Sequence, residues 1–172
     1  MSEPIHNPYK ISTSTLPSDA LKARKHPLNP HAGKSMFKLG DATGPTQLGV
    51  HLCRLEPGQT STVLHWHTSD DEWIYILTAA PGGKLLIRER ADHDDAETRE
   101  EEVIAGDFLG FPAGVKNAHA LRAGEGELTY LVGGTRKELD LCYYPEAKVT
   151  AVIERKGIIK QFAIKEENML RK

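Results

Sequence analysis

The sequence has no long apolar run and very few cysteines. Its 172 residues include two cysteines, Cys53 and Cys142, which are too few for a disulfide framework. Each lies in an apolar, strand-like run, as expected for a buried, reduced thiol. No run approaches the ~20 apolar residues that a membrane-spanning helix needs. The polar, proline-containing N-terminus lacks the apolar region of a signal peptide. These features predict a cytoplasmic protein that has no membrane partner.

Neither sign of charge dominates the chain. It contains 22 basic and 24 acidic residues, which gives a formal net charge of −2 at pH 7. Lysine and arginine do not cluster among aromatic residues, so nucleic acid is not an expected partner. A chain of this length is large enough for one ordinary domain that buries its own core.

The sequence does contain many short apolar runs separated by turns. From Gln47 onward, runs rich in β-branched, aromatic and leucine residues alternate with turns rich in glycine and proline. The runs are QLGVHLCRLE, STVLHWH, EWIYILTA, KLLIRE, DFLGFP, NAHALR, ELTYLVGG and LDLCYY. Their close spacing predicts an all-β sandwich or barrel. The charged stretch at residues 90–102 lacks this pattern, and we interpret it as a solvated loop.

The two ends of the chain differ from this central part. Residues 1–46 hold most of the prolines, which predicts an arm that packs on the barrel or on a partner. Residues 47–148 are predicted to form the barrel, and residues 149–172 a C-terminal extension with one or two strands. An apolar strand that has no obvious place in the barrel exposes a sheet edge, and pairing through a two-fold axis commonly covers such an edge. The sequence therefore predicts a homodimer built through the terminal segments.

Two of the eight histidines stand out by their spacing. His65 and His67 lie one residue apart in an apolar run, and Glu72 follows shortly after them. Side chains at positions i and i+2 of a strand point to the same face. Imidazole nitrogen and carboxylate oxygen are ligands that divalent transition metals accept. The pattern fits a metal site, although a histidine pair on a wet sheet face would look the same.

A later histidine could join this pair. His119 follows a short strand and the turn PAG, so a neighbouring strand of a rigid sheet would deliver it to the same place. The other five histidines are interpreted as solvated or hydrogen-bonded side chains: His6, His26, His31, His51 and His93.

The spacing of these residues resembles the two motifs of the cupin superfamily. The first motif is matched by Gly58, His65, His67, Glu72 and Gly82, and the second by Gly106, Pro112, Gly114 and His119. Two spacers, before His65 and before His119, are one residue longer than usual, and the asparagine that commonly follows the last histidine is absent. The stretches HWHTSDDEWIYIL, GDFLGFPAG and YLVGG resemble a subgroup of small single-domain cupins described as sugar-isomerase-like.

The resemblance implies both a fold and a metal site. The fold is a double-stranded β-helix, or jelly-roll barrel. The implied metal ligands are His65, His67, Glu72 and His119. The expected cofactor is one divalent ion per chain, and the sequence does not distinguish Zn, Mn, Fe and Ni. The expected partner at such a site is a small-molecule ligand or substrate.

Two functions follow from a metal with three imidazoles and one carboxylate. Such an ion keeps open positions, so the first is a metal-dependent enzyme acting on a small oxygenated carbon compound by isomerase, lyase or dioxygenase chemistry. The alternative is a non-catalytic module that uses the metal to bind a sugar or a carboxylate. No catalytic residue is assigned from the sequence. Candidates for a general base are Lys84, Arg88, His51 and Tyr130, but a surface or barrel-end position is the favoured interpretation of each.

Overall fold

Antiparallel β-strands make up almost all of the regular structure. The computed structural model describes residues 9–17, 19–156 and 160–169. The strands are β1 (Lys22–His26), β2 (Asn29–Phe37), β3 (Leu48–Leu55), β4 (Trp66–His67), β5 (Glu72–Ala79), β6 (Lys84–Arg88), β7 (Arg99–Glu102), β8 (Phe108–Phe111), β9 (Ala118–Arg122), β10 (Leu128–Thr135), β11 (Leu139–Tyr144), β12 (Val149–Glu154) and β13 (Lys160–Lys165). The helical pieces are α1 (Leu39–Thr43) and two short 3-10 turns, Thr13–Thr15 and Glu166–Asn168.

These strands form three sheets. The largest has the order β1-β2-β3-β10-β5-β8, the second β13-β12-β11-β4 and the smallest β7-β6-β9. Neighbouring strands within each sheet run antiparallel. The all-β prediction is confirmed, and no helix among the described residues is long and apolar enough to cross a membrane.

The core lies inside the barrel, on the inward faces of these sheets. Tyr130 of β10 stands opposite Ile76 of β5 on one side and Cys53 of β3 on the other, and all three are almost fully buried. Because side chains alternate along a strand, every second residue of these strands points to this interior. The inward face of β5 continues through Ile74 to Glu72, which places a carboxylate at the end of an apolar row.

Part of the predicted arm joins the largest sheet. β2 pairs with β3 from Ser35 to Phe37, and β1 pairs along β2. Ala32 is buried and Met36 packs against the core, because this spacing puts both on the inner face. The segment therefore covers a strand edge of the barrel. The boundary at residue 46 stays a prediction, and residues 1–8 lie outside the described residues.

The C-terminal extension contains two strands. β12 pairs with β11, and β13 pairs with β12 at the edge of the same sheet. Val149 and Ala151 are buried against Cys142 and Tyr144. The expectation that this segment has no place in the barrel is wrong for β12, because its inward side chains complete the core of its own sheet.

The charged stretch at residues 90–102 is a loop only in part. Its last four residues form β7, which pairs with β6 along the edge of the smallest sheet. The prediction of a solvated loop is wrong here because backbone pairing and ion pairs stabilise an exposed strand without apolar residues. One such ion pair joins Arg122 Nη2 of β9 to Glu100 Oε2 at 2.7 Å.

The chain around the histidine pair is less regular than predicted. Only Trp66–His67 form a strand, and residues 61–64 are a series of bends. Residues 60–67, which we call the seam, contact all three sheets. Their bridging partners are Ala32, Arg122, His119, Tyr143 and Cys142.

Candidate metal centre

The four residues predicted as metal ligands meet inside the barrel. The carboxylate of Glu72 lies 3.3 Å from His67 Nε2 and 3.4 Å from His119 Nε2. It lies 4.0 Å from His65 Nε2. Ligand atoms of His65, Glu72 and His119 are all within 4.8 Å of one another. The structure thus brings the four predicted side chains around one small space.

Backbone pairing across the seam holds the three histidines together. The amide of His119, on β9, donates a hydrogen bond of 2.9 Å to the carbonyl of His65. His67 pairs instead with Cys142 of β11 in another sheet. The two histidines of the pair are therefore anchored in different sheets, yet both imidazoles face Glu72.

Each imidazole is oriented through its second nitrogen. The bonds run from His65 Nδ1 to Val63 O (3.0 Å), from His67 Nδ1 to Asp140 Oδ2 (2.6 Å) and from His119 Nδ1 to Asn117 O (3.3 Å). Carbonyl and carboxylate oxygens accept hydrogen bonds, so Nδ1 carries a proton in each ring and Nε2 faces the carboxylate. Three such nitrogens and one carboxylate fit a divalent transition metal.

The electrostatics of the site depend on its buried charges. Burial opposes ionisation of Glu72, but hydrogen bonds from His119 and His67 outweigh burial, and the pKa of this carboxyl lies well below its usual value. Burial also lowers the pKa of His67, yet the Asp140 and Glu72 carboxylates raise it to about 10. Burial and the charge of His119 hold the pKa of His65 well below its usual value. A proton on His67 therefore offsets these carboxylates in the metal-free protein.

Asp140 contacts the candidate metal centre through His67, and sequence reasoning missed it. Its side chain is fully buried on β11 and also accepts hydrogen bonds from the amides of Ser69 and Asp70. These bonds fix the carboxylate that orients His67. The signal in the sequence was a single acidic residue within the apolar run LDLCYY.

Two further residues of β11 contact the histidines. Ligand atoms of Cys142, His65 and His67 lie within 4.8 Å of one another, so this thiol is an additional potential donor. Burial raises the pKa of the Cys142 thiol. Tyr144 stacks on His65 with ring centroids 5.7 Å apart. The sequence predicted a buried thiol at Cys142, and it did not predict that Tyr144 would contact the histidines.

The four residues belong to the lining of a cavity of about 320 Å³. This volume is at the lower end of the ~300–1,000 Å³ typical of small-molecule sites. Two of the candidate bases, His51 and Tyr130, line the cavity, whereas Lys84 and Arg88 of β6 do not. His51 Nε2 is buried and has no hydrogen-bond partner among the described residues. The interpretation of His51 as a solvated or hydrogen-bonded side chain therefore does not hold for this nitrogen.

The remaining histidines have different surroundings. His26 lines the same cavity, accepts a hydrogen bond from the amide of Leu28 and meets the ring of Tyr144 edge-on at 5.2 Å. His31 and His93 are exposed, as predicted. His6 lies outside the described residues.

Comparison with known proteins supports the fold along nearly the whole chain. No family model and no curated protein matches the sequence. A provisionally assigned sugar phosphate isomerase from Acidithiobacillus ferrooxidans is 28% identical with a TM-score of 0.74, covering 95% of this chain and 97% of its own. A cupin-superfamily sugar phosphate isomerase from Silicibacter pomeroyi is 29% identical with a TM-score of 0.68, covering 89% and 93%. The jelly-roll prediction is thereby confirmed, and the chain is similar over most of its length to a cupin-superfamily structure.

Proposed function

We propose that this protein is a metal-dependent isomerase of a small hydroxy-carbonyl compound. The observation that carries the proposal is the convergence of three imidazole Nε2 atoms on the Glu72 carboxylate inside a ligand-sized cavity. The names of the two similar structures, both sugar phosphate isomerases, favour isomerase chemistry over the lyase and dioxygenase alternatives.

One divalent ion per chain would be held by His65, His67, Glu72 and His119. The donor set accepts Zn, Mn, Fe or Ni. When bound, the ion would act as a Lewis acid that polarises the substrate carbonyl and stabilises the negative charge that develops on its oxygen.

The other side chains of the cavity would bind and orient the substrate. Burial raises the pKa of the Tyr130 and Tyr144 hydroxyls, so both stay neutral and can donate hydrogen bonds to substrate oxygens. Ile74 and Val132 supply apolar lining that limits the entry of water. Substrate oxygens would thus meet fixed donors in a partly apolar cavity.

The proposal is tested by metal analysis followed by turnover. The purified protein is reconstituted with each of the four metals and assayed for interconversion of aldose and ketose substrates, with and without dioxygen. We expect turnover that needs the metal and no dioxygen. The His65→Ala variant, which keeps the buried His67–Asp140 pair, should lose tight metal binding and turnover, whereas His93→Ala should keep both.

Other outcomes would contradict isomerase function in distinct ways. Dioxygen consumption by the iron-loaded protein would indicate a dioxygenase. Ligand binding without turnover for any metal would indicate the non-catalytic binding module. Failure to bind any of the four metals would contradict the metal centre itself.

We also propose that the protein is a homodimer joined through its terminal segments. β13 is the edge strand of its sheet, and no described strand pairs with its outer side. Phe162 on this strand is 51% exposed. Pairing with a second copy would cover both the open edge and the exposed aromatic ring.

A further inference from the structure

We propose that the cavity beside the metal centre contains a subsite for the anionic end of the substrate, where Lys34 and His51 bind a phosphate or carboxylate oxyanion. The inference rests on the proposed function, because it assigns the substrate of that same site to anionic compounds. The same cavity is lined by the two subsite residues, Lys34 and His51, and by the four candidate metal ligands. One molecule can therefore contact both the subsite and the metal centre.

Lys34 is a lysine on the inward face of a strand. Its neighbours on the same face of β2 are Ala32, which is buried, and Met36, which packs against the core. Alternation along the strand therefore directs the Lys34 side chain toward the interior, and it lines the cavity there. Partial removal of an ammonium group from water is costly unless an anion compensates it.

No carboxylate of the described residues forms an ion pair with Lys34. The two other cationic side chains of the lining are already paired: Arg136 Nη2 lies 2.5 Å from Asp41 Oδ1, and Arg155 Nη1 lies 2.8 Å from Asp70 Oδ2. Lys34 takes part in no ion pair with the described residues. Its ammonium group is thus available to a ligand.

His51 adds a hydrogen-bonding group to the same region. Its Nε2 is buried without a hydrogen-bond partner among the described side chains and backbone groups, and an unsatisfied buried polar atom calls for a ligand or a water. Burial, followed by the charge of Lys34, lowers the pKa of His51 to about 4. The neutral ring can present an N–H to an oxyanion. Lys38 and Arg136 also lower this pKa, whereas Asp41 raises it.

The register of the largest sheet sets the distance between His51 of the proposed subsite and Glu72 of the metal centre. His51 of β3 stands opposite Val132 of β10, which stands opposite Ile74 of β5. His51 and Ile74 are thus two strand spacings apart, roughly 10 Å. Glu72 is two residues from Ile74 on the same face of β5. A compound bound at both places would carry its anionic group several carbon atoms away from its carbonyl.

Charge favours an anionic ligand as well. Among the described lining residues, the cations Lys34, Arg136 and Arg155 balance the carboxylates Asp70, Asp71 and Glu72. A divalent ion at the metal centre would then leave the cavity with a positive excess. Such a cavity attracts and retains anions.

The test is a binding titration of the full-length protein with its metal content unchanged. Inorganic phosphate and acetate are titrated separately by calorimetry into wild type, Lys34→Met, Lys34→Arg and Lys25→Met. Lys25→Met is the matched control, because Lys25 is an exposed lysine on the neighbouring strand β1. In parallel, the ¹⁵N resonances of His51 are followed in the wild type. This measurement does not depend on the folding of any variant.

We expect wild type to bind at least one of the two anions, Lys34→Met to bind it at least tenfold more weakly, and Lys34→Arg and Lys25→Met to stay within about threefold of wild type. The His51 Nε2 resonance should shift on binding. Preference for phosphate would indicate a phosphomonoester substrate, and preference for acetate a carboxylate substrate.

Three results would overturn the subsite. The first is equal binding by wild type and Lys34→Met, which is expected if the anion binds only the metal. The second is a His51 resonance that does not change at saturation. The third is no binding of either anion. These results are independent of turnover. A protein that binds phosphate through Lys34 but isomerises nothing would refute the proposed function and leave the subsite standing.

Discussion

Asp140 influences the candidate metal centre without facing the space between the four ligands. It accepts a hydrogen bond from the Nδ1–H group of His67 and thereby orients the ring whose Nε2 faces Glu72. In the Asp140→Asn variant the remaining oxygen can still accept the hydrogen bond from the Ser69 amide, but the negative charge beside His67 is lost. We expect metal affinity to fall by ~10–100-fold, as is typical for loss of such a partner. Competition with a chelator of known affinity measures the change.

The matched control for this prediction is Asp107→Asn. Asp107 also accepts a hydrogen bond from a backbone amide, that of Ile104, but it contacts no histidine of the site. Its metal affinity should match that of wild type. If Asp140→Asn also bound metal like wild type, the orienting role of this carboxylate would be contradicted.

The lowered pKa of His51 predicts that the stability of the folded protein depends on pH. Its pKa is about 4 in the folded protein, against about 6.5 in an unfolded chain. Between these values the unfolded chain binds more protons, so His51 makes the folded protein less stable as the pH falls. The free energy of unfolding of wild type, relative to that of His51→Gln, should fall by on the order of 1 kcal/mol from pH 7 to pH 5, allowing for partial exposure. Urea unfolding at both pH values measures this difference.

The metal-site histidines are common to both proteins, so their titration cancels in the comparison. His93→Gln is the control, because His93 lies exposed in the charged loop. Its stability should follow that of wild type at both pH values. Parallel pH curves for wild type and His51→Gln would show that His51 titrates normally in the folded protein.

At the scale of the strands, a close approach between β10 and β5 depends on a glycine. A Cβ added to Gly133 would lie 2.2 Å from Trp73 Cζ2, and the indole is stacked on Phe108. The ring would have to leave this stack. We expect Gly133→Ala to destabilise the protein by ~1–3 kcal/mol, the usual cost of overpacking. The measurement is the midpoint of urea unfolding, which should fall while the dependence of the unfolding free energy on urea concentration stays the same.

Gly110→Ala is the control on the adjacent strand β8. The nearest atom to its added Cβ is Phe108 Cε1 at 3.8 Å, an ordinary contact. Its stability should stay within about 1 kcal/mol of wild type or rise slightly, because alanine restricts the unfolded chain. A second substitution, Trp73→Leu, should recover part of the loss in Gly133→Ala. No loss in Gly133→Ala would mean that the indole has another position available.

Local patterns predicted most strands after Gln47, and the family resemblance implied the four candidate ligands, but β1, β2 and β7 were not predicted as strands. His65, His67 and Glu72 are close in sequence, so their spacing carries the signal. The bond between His67 and Asp140 spans 73 positions, and no local pattern encodes it. β7 has no apolar residue, so its strand conformation depends on pairing with β6 rather than on its own sequence. β12 had no predicted place in the barrel because its pairing with β11 is a contact that the sequence did not reveal.

For the whole molecule, the proposed dimer makes one exposed aromatic residue decisive. Phe162 on the edge strand β13 is 51% exposed. In Phe162→Lys a charge would enter the proposed interface, and natural proteins use edge lysines to prevent such pairing. We expect wild type to sediment as a dimer at micromolar concentration and Phe162→Lys to sediment as a monomer. Analytical ultracentrifugation distinguishes the two.

Phe108→Lys serves as the comparison. Phe108 is 65% exposed on β8, the edge of a different sheet. If the terminal segments form the interface, this variant stays dimeric. A dimer that is disrupted only by Phe108→Lys would move the interface to β8, and a monomeric wild type would refute the dimer.

The seam also has a consequence for spectroscopy. The chain has two tryptophans, and one of them, Trp66, lies in the seam next to His67. Trp66 lines a second cavity of about 210 Å³, whose lining also includes His67 and His119. Trp73 is stacked on Phe108 and lines neither of the two cavities. In a Trp73→Phe variant, Trp66 becomes the single indole emitter. Its emission should therefore report metal loading of this centre directly, without an added dye or a known substrate.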